Sequence, residues 1–471
     1  MINYDDTIAA IATAASPAGI GIIRVSGDNS IKIVSSIFVD KNKNRIDLKW
    51  SHKVYYGFIY DDNKKEFIDE VIILTMFAPK SYTAEDVVEV QCHGGLIVLR
   101  KILNLIIEKG ARIAEPGEFT KRAFLNRRID LSKAEAVTDI IMSKNEYALK
   151  ASFAELKGNL ADELNNYRKE LLESIAFIEA CLDDPEHMDI EGFKGKLKIQ
   201  IEKISKELKK IIDNYSNGKI IREGIDTVIL GKPNVGKSSL LNILLDEERA
   251  IVSKVAGTTR DIIKESINLN GLTINLVDTA GIRDSKNVDE IEKIGIEKAK
   301  EMARHSNLIL LVMDVNDKID EEDKMLIKMC KELNKKYIII SNKIDIKKDK
   351  SETIKKLIEE YIDDKEVPVI SFSTKDKSGF DELKEKIEKM FIDREIDFNN
   401  EIFISNERQL HSIKKAEESL QNVLKGIKEN VSEDFLTIDM MDAYNSISQV
   451  LGIEVTDDVV DEIFSKFCMG K

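Results

Sequence analysis

Eight residues, Gly231-Lys232-Pro233-Asn234-Val235-Gly236-Lys237-Ser238, constrain this chain more than any others, because they follow an apolar run at 227–230 and open the helical run Leu240–Leu245. A glycine-rich turn set between a strand and a helix curls its backbone N–H groups around phosphates, and the helix N-terminus adds a positive dipole. In that setting Lys237 reaches the β and γ phosphates and Ser238 is placed to ligate Mg²⁺, with Val235, Gly236 and Ser239 in the same cradle. Asn234 offers a side-chain oxygen beside the phosphates, suited either to a monovalent cation or to stabilising the loop.

Further elements follow in the order such a site requires. Gly257-Thr258-Thr259-Arg260 supplies a hydroxyl, assigned to Thr259, that reaches the metal when a γ-phosphate is present. Asp278-Thr279-Ala280-Gly281 ends a strand with an acid near Mg²⁺ and a glycine N–H for the γ-phosphate. Asn342-Lys343-Ile344-Asp345, directly after the run Tyr337–Ile340, sets a carboxylate where guanine N1–H and its exocyclic amine donate two hydrogen bonds. Adenine would leave that carboxylate unpaired, so the expected nucleotide is GTP. Ser373-Thr374-Lys375, after the strand at 367–371, contacts the same base. Ile282 stands where Ras-like switches carry a water-orienting Gln, and an alkyl group cannot position water, so hydrolysis needs help from elsewhere.

The 471 residues predict about three domains. At 43% hydrophobic and 33% charged, with 6 Pro and 23 Gly, the chain is too apolar and too poor in breakers to be mainly disordered. A net charge of −14 excludes a surface coated uniformly for nucleic acid, and leaves Lys121, Arg122, Arg127 and Arg128 as the best basic patch. Cys92, Cys181, Cys330 and Cys468 are too far apart for a disulfide framework or a zinc site, which fits a reducing compartment. Two acids in Met1–Asp6 and the absence of any run of about 18 apolar residues predict a soluble, cytoplasmic protein without membrane contact.

The fold class expected is multidomain. Residues 1–120 mix β-rich runs, Ile20–Val25, Val54–Tyr60, Val71–Phe77 and Val87–Cys92, with helical stretches near 29–38 and 96–109, an α+β pattern. From about residue 130 a long helix is expected. Its stripe, Leu156, Leu160, Leu164, Tyr167, Leu171, Ile175, Ile178 and Leu182, recurs at steps of 3 or 4 and ends at Asp183-Asp184-Pro185. A second amphipathic helix over roughly 190–216 is expected to stop at Asn217-Gly218 as a C-cap. Residues 225–390 alternate strand and helix, an α/β domain with a mostly parallel sheet, and Asn270-Gly271 signals an antiparallel hairpin at its edge. The chain is helical again from about 402. The expected division is 1–120, 121–222 and 386–471 as two halves of one all-α helical domain, and an inserted P-loop domain at 223–385.

These residues resemble the MnmE (TrmE) family of tRNA-modification GTPases along essentially the whole chain. Outside the P-loop domain the resemblance rests on Ala18–Gly27 (AGIGIIRVSG), Ser81–Gly95 (SYTAEDVVEVQCHGG), Glu115–Asp130 (EPGEFTKRAFLNRRID) and the closing Phe467-Cys468-Met469-Gly470-Lys471. It implies an N-terminal folate-binding and dimerisation domain, a discontinuous helical domain, an inserted GTPase domain that dimerises through its switches when GTP is bound, and a constitutive homodimer. It implies that K⁺ substitutes for an arginine finger, held by Asn234 and by the loop Ser253–Thr258, with Val255 and Thr258 among its ligands, while Ser238 and Thr259 hold Mg²⁺. Glu292, just before Ile294-Gly295-Ile296-Glu297, matches the water-orienting acid, in a stretch where Asp284, Asp289 and Glu290 would otherwise read as solvated charges. A 5-formyl- or methylene-tetrahydrofolate site carries over at Arg24, Glu89, Arg128 and Lys471; Arg128 stands where the family commonly has Lys. Cys468 matches the family's C-terminal Cys-Ile-Gly-Lys signature, with Met469 in place of Ile, and is a candidate for the modification chemistry.

The resemblance further implies an FAD-dependent partner, MnmG, with which the chain adds an aminomethyl-type group, carboxymethylaminomethyl when glycine is the amine donor, to C5 of the wobble uridine of certain tRNAs. Two other readings compete: a GTP-gated module that docks on RNA or ribosomes, which would need an appendage such as a KH-type loop, and a stand-alone folate aminomethyltransferase. Cys92-His93 is expected to be a fold element rather than a nucleophile and base, since neighbours on a strand face opposite ways. Glu186, His187, Asp189 and Glu191 are expected to be a solvated loop.

Overall fold

The computed structural model describes residues 6–14, 16–183, 193–247, 265–277, 300–346, 367–392, 402–404, 406–453, 456–465, 467 and 470. The N-terminal segment forms a seven-stranded sheet in the order β3-β4-β5-β6-β2-β1-β7. The strands are β1 (Ile8–Ile11), β2 (Ala18–Ser26), β3 (Phe38–Val39), β4 (Lys53–Asp61), β5 (Glu66–Met76), β6 (Val87–Gly94) and β7 (Arg112–Ile113), with helices α1 (Ser30–Ser35), α2 (Leu96–Glu108) and α3 (Glu118–Leu125). Alternation sets the faces: Ile23, Val25, Ile73, Val88 and Val90 pack under Leu99, Ile102 and Ile106 of α2. The helical stretch expected to reach residue 38 stops at Ser35, because Phe38 is recruited to pair with Ile59 of β4.

Next come α4 (Leu131–Met142), α5 (Glu146–Lys157), α6 (Asn159–Asp183), α7 (Phe193–Asp213) and α8 (Tyr215–Glu223). The expected long stripe is real from Leu160 to Ile178, all on the buried side of α6, but Leu156 belongs to α5. Gly158, at φ +104°, breaks the helix between them. The C-cap expected at Asn217-Gly218 is corrected: both residues lie inside α8, and Gly224, at φ +91°, ends it. Gly218 serves a different need, since a Cβ there would stand 2.4 Å from the carbonyl oxygen of Ile404.

The α/β segment holds β8 (Ile225–Leu230), α9 (Lys237–Glu247), β9 (Glu265–Leu269), β10 (Leu272–Leu276), β11 (Leu308–Asp314), α10 (Glu321–Glu332), β12 (Lys336–Asn342), β13 (Val369–Ser371) and α11 (Phe380–Phe391). Its sheet runs β13-β12-β11-β8-β10-β9, parallel except for the edge strand β9. Asn270 and Gly271, both at positive φ, close the β9–β10 hairpin, as the Asn-Gly signal predicts. β11 is buried on both faces: Leu308, Leu310 and Val312 join one core, Ile309, Leu311 and Met313 the other.

The C-terminal helices are α12 (Glu407–Lys428), α13 (Glu433–Val450) and α14 (Asp457–Ser465). α13 packs on α6, where Arg168 donates to Ser448 Oγ at 2.7 Å and to the Tyr444 hydroxyl at 3.0 Å. The chain divides into two compact units. One comprises 1–138, 155–198 and 418–471, the other 139–154 and 199–417.

Candidate functional site: a phosphate loop and a base-reading corner

β8 delivers the chain to Gly231, and the loop 231–236 turns it into α9 through three left-handed residues, Gly231 (φ +144°), Asn234 (φ +63°) and Gly236 (φ +103°). Glycine is required twice by proximity as well as by φ. A Cβ on Gly231 would lie 2.3 Å from the Val312 carbonyl oxygen, and one on Gly236 would lie 2.1 Å from Asn342 Nδ2. The loop is thus pressed against the ends of β11 and β12.

Lys237, half-buried, donates its ammonium to the carbonyl oxygens of Gly231 and Lys232, each at 2.6 Å. Burial pulls its pKa down. A cation drawn out of water and held on neutral carbonyls is one that a phosphate stabilises strongly. Ser238 and Ser239 are exposed at the start of α9. Lys232 points elsewhere, to Asp320 and Asp323 at 2.8 and 2.7 Å, and these acids form the capping box that starts α10. That pair was not anticipated, although the Asp-x-x-Asp spacing at 320–323 carries a cap signal.

The corner expected to read the base meets the loop 231–236 through two hydrogen bonds. Asn342 Nδ2 donates to the Val235 carbonyl at 2.8 Å and Lys343 Nζ to the Asn234 carbonyl at 2.8 Å. Lys343 is also paired with Asp314 at 2.6 Å, and Asn316 donates to Asp314 Oδ1. Asp345 is exposed and accepts from Ser373 Oγ at 3.3 Å; Ser373, fully buried, in turn accepts from the amides of Lys375 and Asp376. Thr374 sits between them on the turn after β13. The structure therefore brings Asn234 to Ser239, Asn342, Lys343, Asp345 and Ser373 to Lys375 to one end of the sheet. Ser253, Val255, Thr258, Thr259, Asp278, Thr279, Ala280, Gly281 and Glu292 lie outside the described residues.

A second cluster forms on the N-terminal sheet. Arg24 and Glu89 are cross-strand partners of β2 and β6, and the guanidinium donates to Glu89 Oε1 through Nε and Nη2, both at 2.9 Å. Its third nitrogen donates to the Gly470 carbonyl at 3.2 Å. Arg24 stands 5.4 Å from the Tyr82 ring and 5.5 Å from Phe119, and Arg128 stands 5.2 Å from the same Tyr82 ring. Arg24, paired with Glu89, and Arg128 thus meet at the Tyr82 ring. The sequence reading missed Tyr82 and Phe119, whose spacing carries no signal of this contact. Lys471 and Cys468 lie outside the described residues, as do Glu186, His187, Asp189 and Glu191.

Cys92 and His93 face opposite sides of β6, as expected. The Cys92 thiol is buried, and burial pushes it up to about 11. His93 is exposed and hydrogen-bonded to Asp69 at 2.7 Å, which raises its pKa. The basic patch needs correction. Arg122 is 1% exposed, bonded to Asp6, Glu85 and Glu118, and Lys121 is buried and paired with Asp461, so only Arg127 and Arg128 present charge to solvent.

Residues 131–468 match a family model described as the MnmE helical domain, and residues 7–128 one described as the GTP-binding protein TrmE N-terminus. The chain is 46% identical to the tRNA modification GTPase MnmE of Lachnoclostridium phytofermentans, over 99% of each chain. It is 44% identical to the protein of that name from Acetivibrio thermocellus, again over 99% of each. The protein of that name from Desulforamulus reducens is 42% identical over 99% of this chain and all of its own length.

Proposed function

The chain belongs to the MnmE family of tRNA modification GTPases, and from that premise we propose that it hydrolyses GTP to drive a conformational switch in wobble-uridine modification. The observation that carries this reading is the half-buried Lys237 ammonium, seated on carbonyls of a glycine loop that Asn342 and Lys343 clamp beside the exposed Asp345. Charge recognition and base recognition are thereby built into one rigid corner. Asp345 accepts from guanine, Lys237 and the loop amides hold the phosphates, and Glu292 orients the attacking water.

The oxygen donors at Ser238 and Thr259 suit Mg²⁺, and Asn234 with Ser253, Val255 and Thr258 suits K⁺; both ions, when bound, neutralise phosphate charge. The exposed Asn234, fixed at positive φ beside the phosphate cradle, fits a cation ligand. An arginine finger is worth about 10³–10⁵ in rate, and a cation in its place would supply the same kind of charge to the transition state.

The meeting of Arg24, with its partner Glu89, and Arg128 at Tyr82 supports a site for a 5-formyl- or methylene-tetrahydrofolate, with Lys471: guanidinium groups suit the anionic glutamate tail and a carboxylate suits the pterin donors. On this reading the chain is a cytoplasmic homodimer that works with an MnmG-type FAD protein on tRNA. The exposed Val54, Tyr56 and Ile72 on the outer face of β4 and β5 are an apolar surface suited to pairing. Domain limits of 1–120, 121–222, 223–385 and 386–471 accompany it. Among the described residues no helix is long and apolar enough to cross a membrane. A purely RNA-docking module is less apt, since relatives aligned over 99% of both chains bear a tRNA modification name.

The test is steady-state GTP hydrolysis at matched ionic strength in KCl and in NaCl. Strong stimulation by KCl, lost in Asn234→Ala, supports the cation-assisted switch. Equal rates in the two salts would sink the K⁺ assignment and leave GTP binding standing.

A further inference from the structure

Asn234 and Lys343 are both L-residues in the left-handed region, at φ +63° and +67°, and one hydrogen bond joins them, from Lys343 Nζ to the Asn234 carbonyl at 2.8 Å. Such conformations are uncommon outside glycine, Asn adopting them more readily than Lys, and a bond to the Asn234 peptide helps to fix one orientation of it. The Lys343 ammonium that makes this bond is also paired with the last residue of β11. Asp314 divides its two oxygens: Oδ1 accepts from the amide and side chain of Asn316, at 2.9 and 3.0 Å, closing its own turn, whereas Oδ2 is given to Lys343 at 2.6 Å. The Asp314 side chain is nearly buried, and the register places it directly beside Asn342 on β12, so its position is set by the sheet.

We propose that Asp314 is a positioning residue for GTP hydrolysis: through Lys343 it holds the Asn234 peptide in its left-handed conformation and so fixes where the Asn234 side chain stands. This rests on the reading that Asn234 acts beside the phosphates. It makes the acid, which has no role in reading the base, part of the phosphate machinery. It also separates two duties within one carboxylate, because an amide at 314 keeps an Oδ1 acceptor for Asn316 while replacing the oxygen that faces Lys343 with an NH₂ group that cannot accept.

The experiment is a double-mutant cycle on the full-length protein: wild type, Asp314→Asn, Asn234→Gly and the double variant, with kcat and KM for GTP measured in KCl and single-turnover rates for the slow members. Glycine takes the left-handed conformation unaided and has no side chain to place. Asp314→Asn should lower kcat about tenfold when Asn234 is present and less than about twofold in the Asn234→Gly background. An equal fall in both backgrounds, or no fall in either, overturns the proposal and leaves Asp314 as a turn residue. Asn316→Ala, which loosens the same brace from its other side, should show the same background dependence in weaker form, and serves if Asp314→Asn does not fold. A wild type with equal rates in KCl and NaCl removes the K⁺ reading alone, because the cycle still reports whether Asp314 acts through Asn234.

Discussion

Replacing Arg122 by Met is the sharpest test of how the N-terminal domain is held together. The guanidinium is 1% exposed and donates to the Asp6 carbonyl at 2.9 Å, Asp6 Oδ1 at 2.6 Å, Glu85 Oε1 at 3.2 Å and Glu118 Oε1 at 3.1 Å. Removing one partner of a buried ion pair costs roughly 3–5 kcal/mol. The low end applies here, because each acid keeps a second donor: Arg112 for Asp6 and Glu118, Ser26 Oγ for Glu85. Met fills much of the vacated volume, so the expected loss is about 3 kcal/mol, or about a hundredfold faster amide exchange in β1 and β2 once intrinsic rates are divided out. The sign of the pH dependence follows from the acids. Burial pushes Asp6 and Glu118 up, but the hydrogen bonds from Arg112 and Arg122 outweigh it and leave both below their ordinary values. Acids lowered on folding stabilise the fold at neutral pH and lose that contribution as pH falls through their folded values. The variant lacks part of the lowering, so its deficit should shrink below about pH 4, where the acids protonate. Exchange accelerated less than about threefold at neutral pH, or a deficit that widens on acidification, would refute the argument.

Two further outcomes follow from the same geometry. Asp345→Asn removes the acceptor proposed for guanine and would leave base donors facing an amide, so affinity for GDP should fall by at least about a hundredfold, read by titration of a fluorescent analogue, while Tm stays close to wild type because Asp345 is exposed. Cys92, pushed up to about 11 from an ordinary value of 9, should alkylate at pH 8 about a hundredfold more slowly in the folded protein than in the unfolded chain on thiolate fraction alone; peptide mass mapping that finds equal labelling would contradict its burial.

The proposed nucleotide corner was legible in the sequence as a set of residues brought together, because such chemistry fixes residue type and order at once: a glycine that must curl, a lysine at the helix start, an acid after a strand. Each requirement is local, so Gly236, Lys237, Asn342 and Asp345 could be placed before any fold was known. What failed is what depends on distant partners. Charge counting set Lys121 and Arg122 on a basic surface, yet the acids that bury Arg122 come from positions 6, 85 and 118. Asn217-Gly218 has the composition of a cap, but its glycine answers to a carbonyl at Ile404 instead. Tyr82, the hub of the Arg24 and Arg128 contacts, reaches them from the connection between β5 and β6.

The same distinction explains how the segment 139–154 is fixed to the β9–β10 hairpin of the α/β sheet. Asn145 is 7% exposed, donates to the Ile221 carbonyl at 3.0 Å and to Thr273 Oγ1 at 2.9 Å, and accepts from the Ala148 amide at 2.7 Å. Tyr147 lies over Gly271 at the hairpin turn, where a Cβ would come within 3.0 Å of its ring, and its hydroxyl donates to Glu388, which also accepts from Asn270. Apolar packing alone would tolerate a slip along this hairpin. A buried amide with its donors and acceptor matched does not, because each group left unpaired costs roughly 1–3 kcal/mol. Polar matching therefore locks one register between this segment and β10, and any displacement of 139–154 must either carry Thr273 with it or break these bonds.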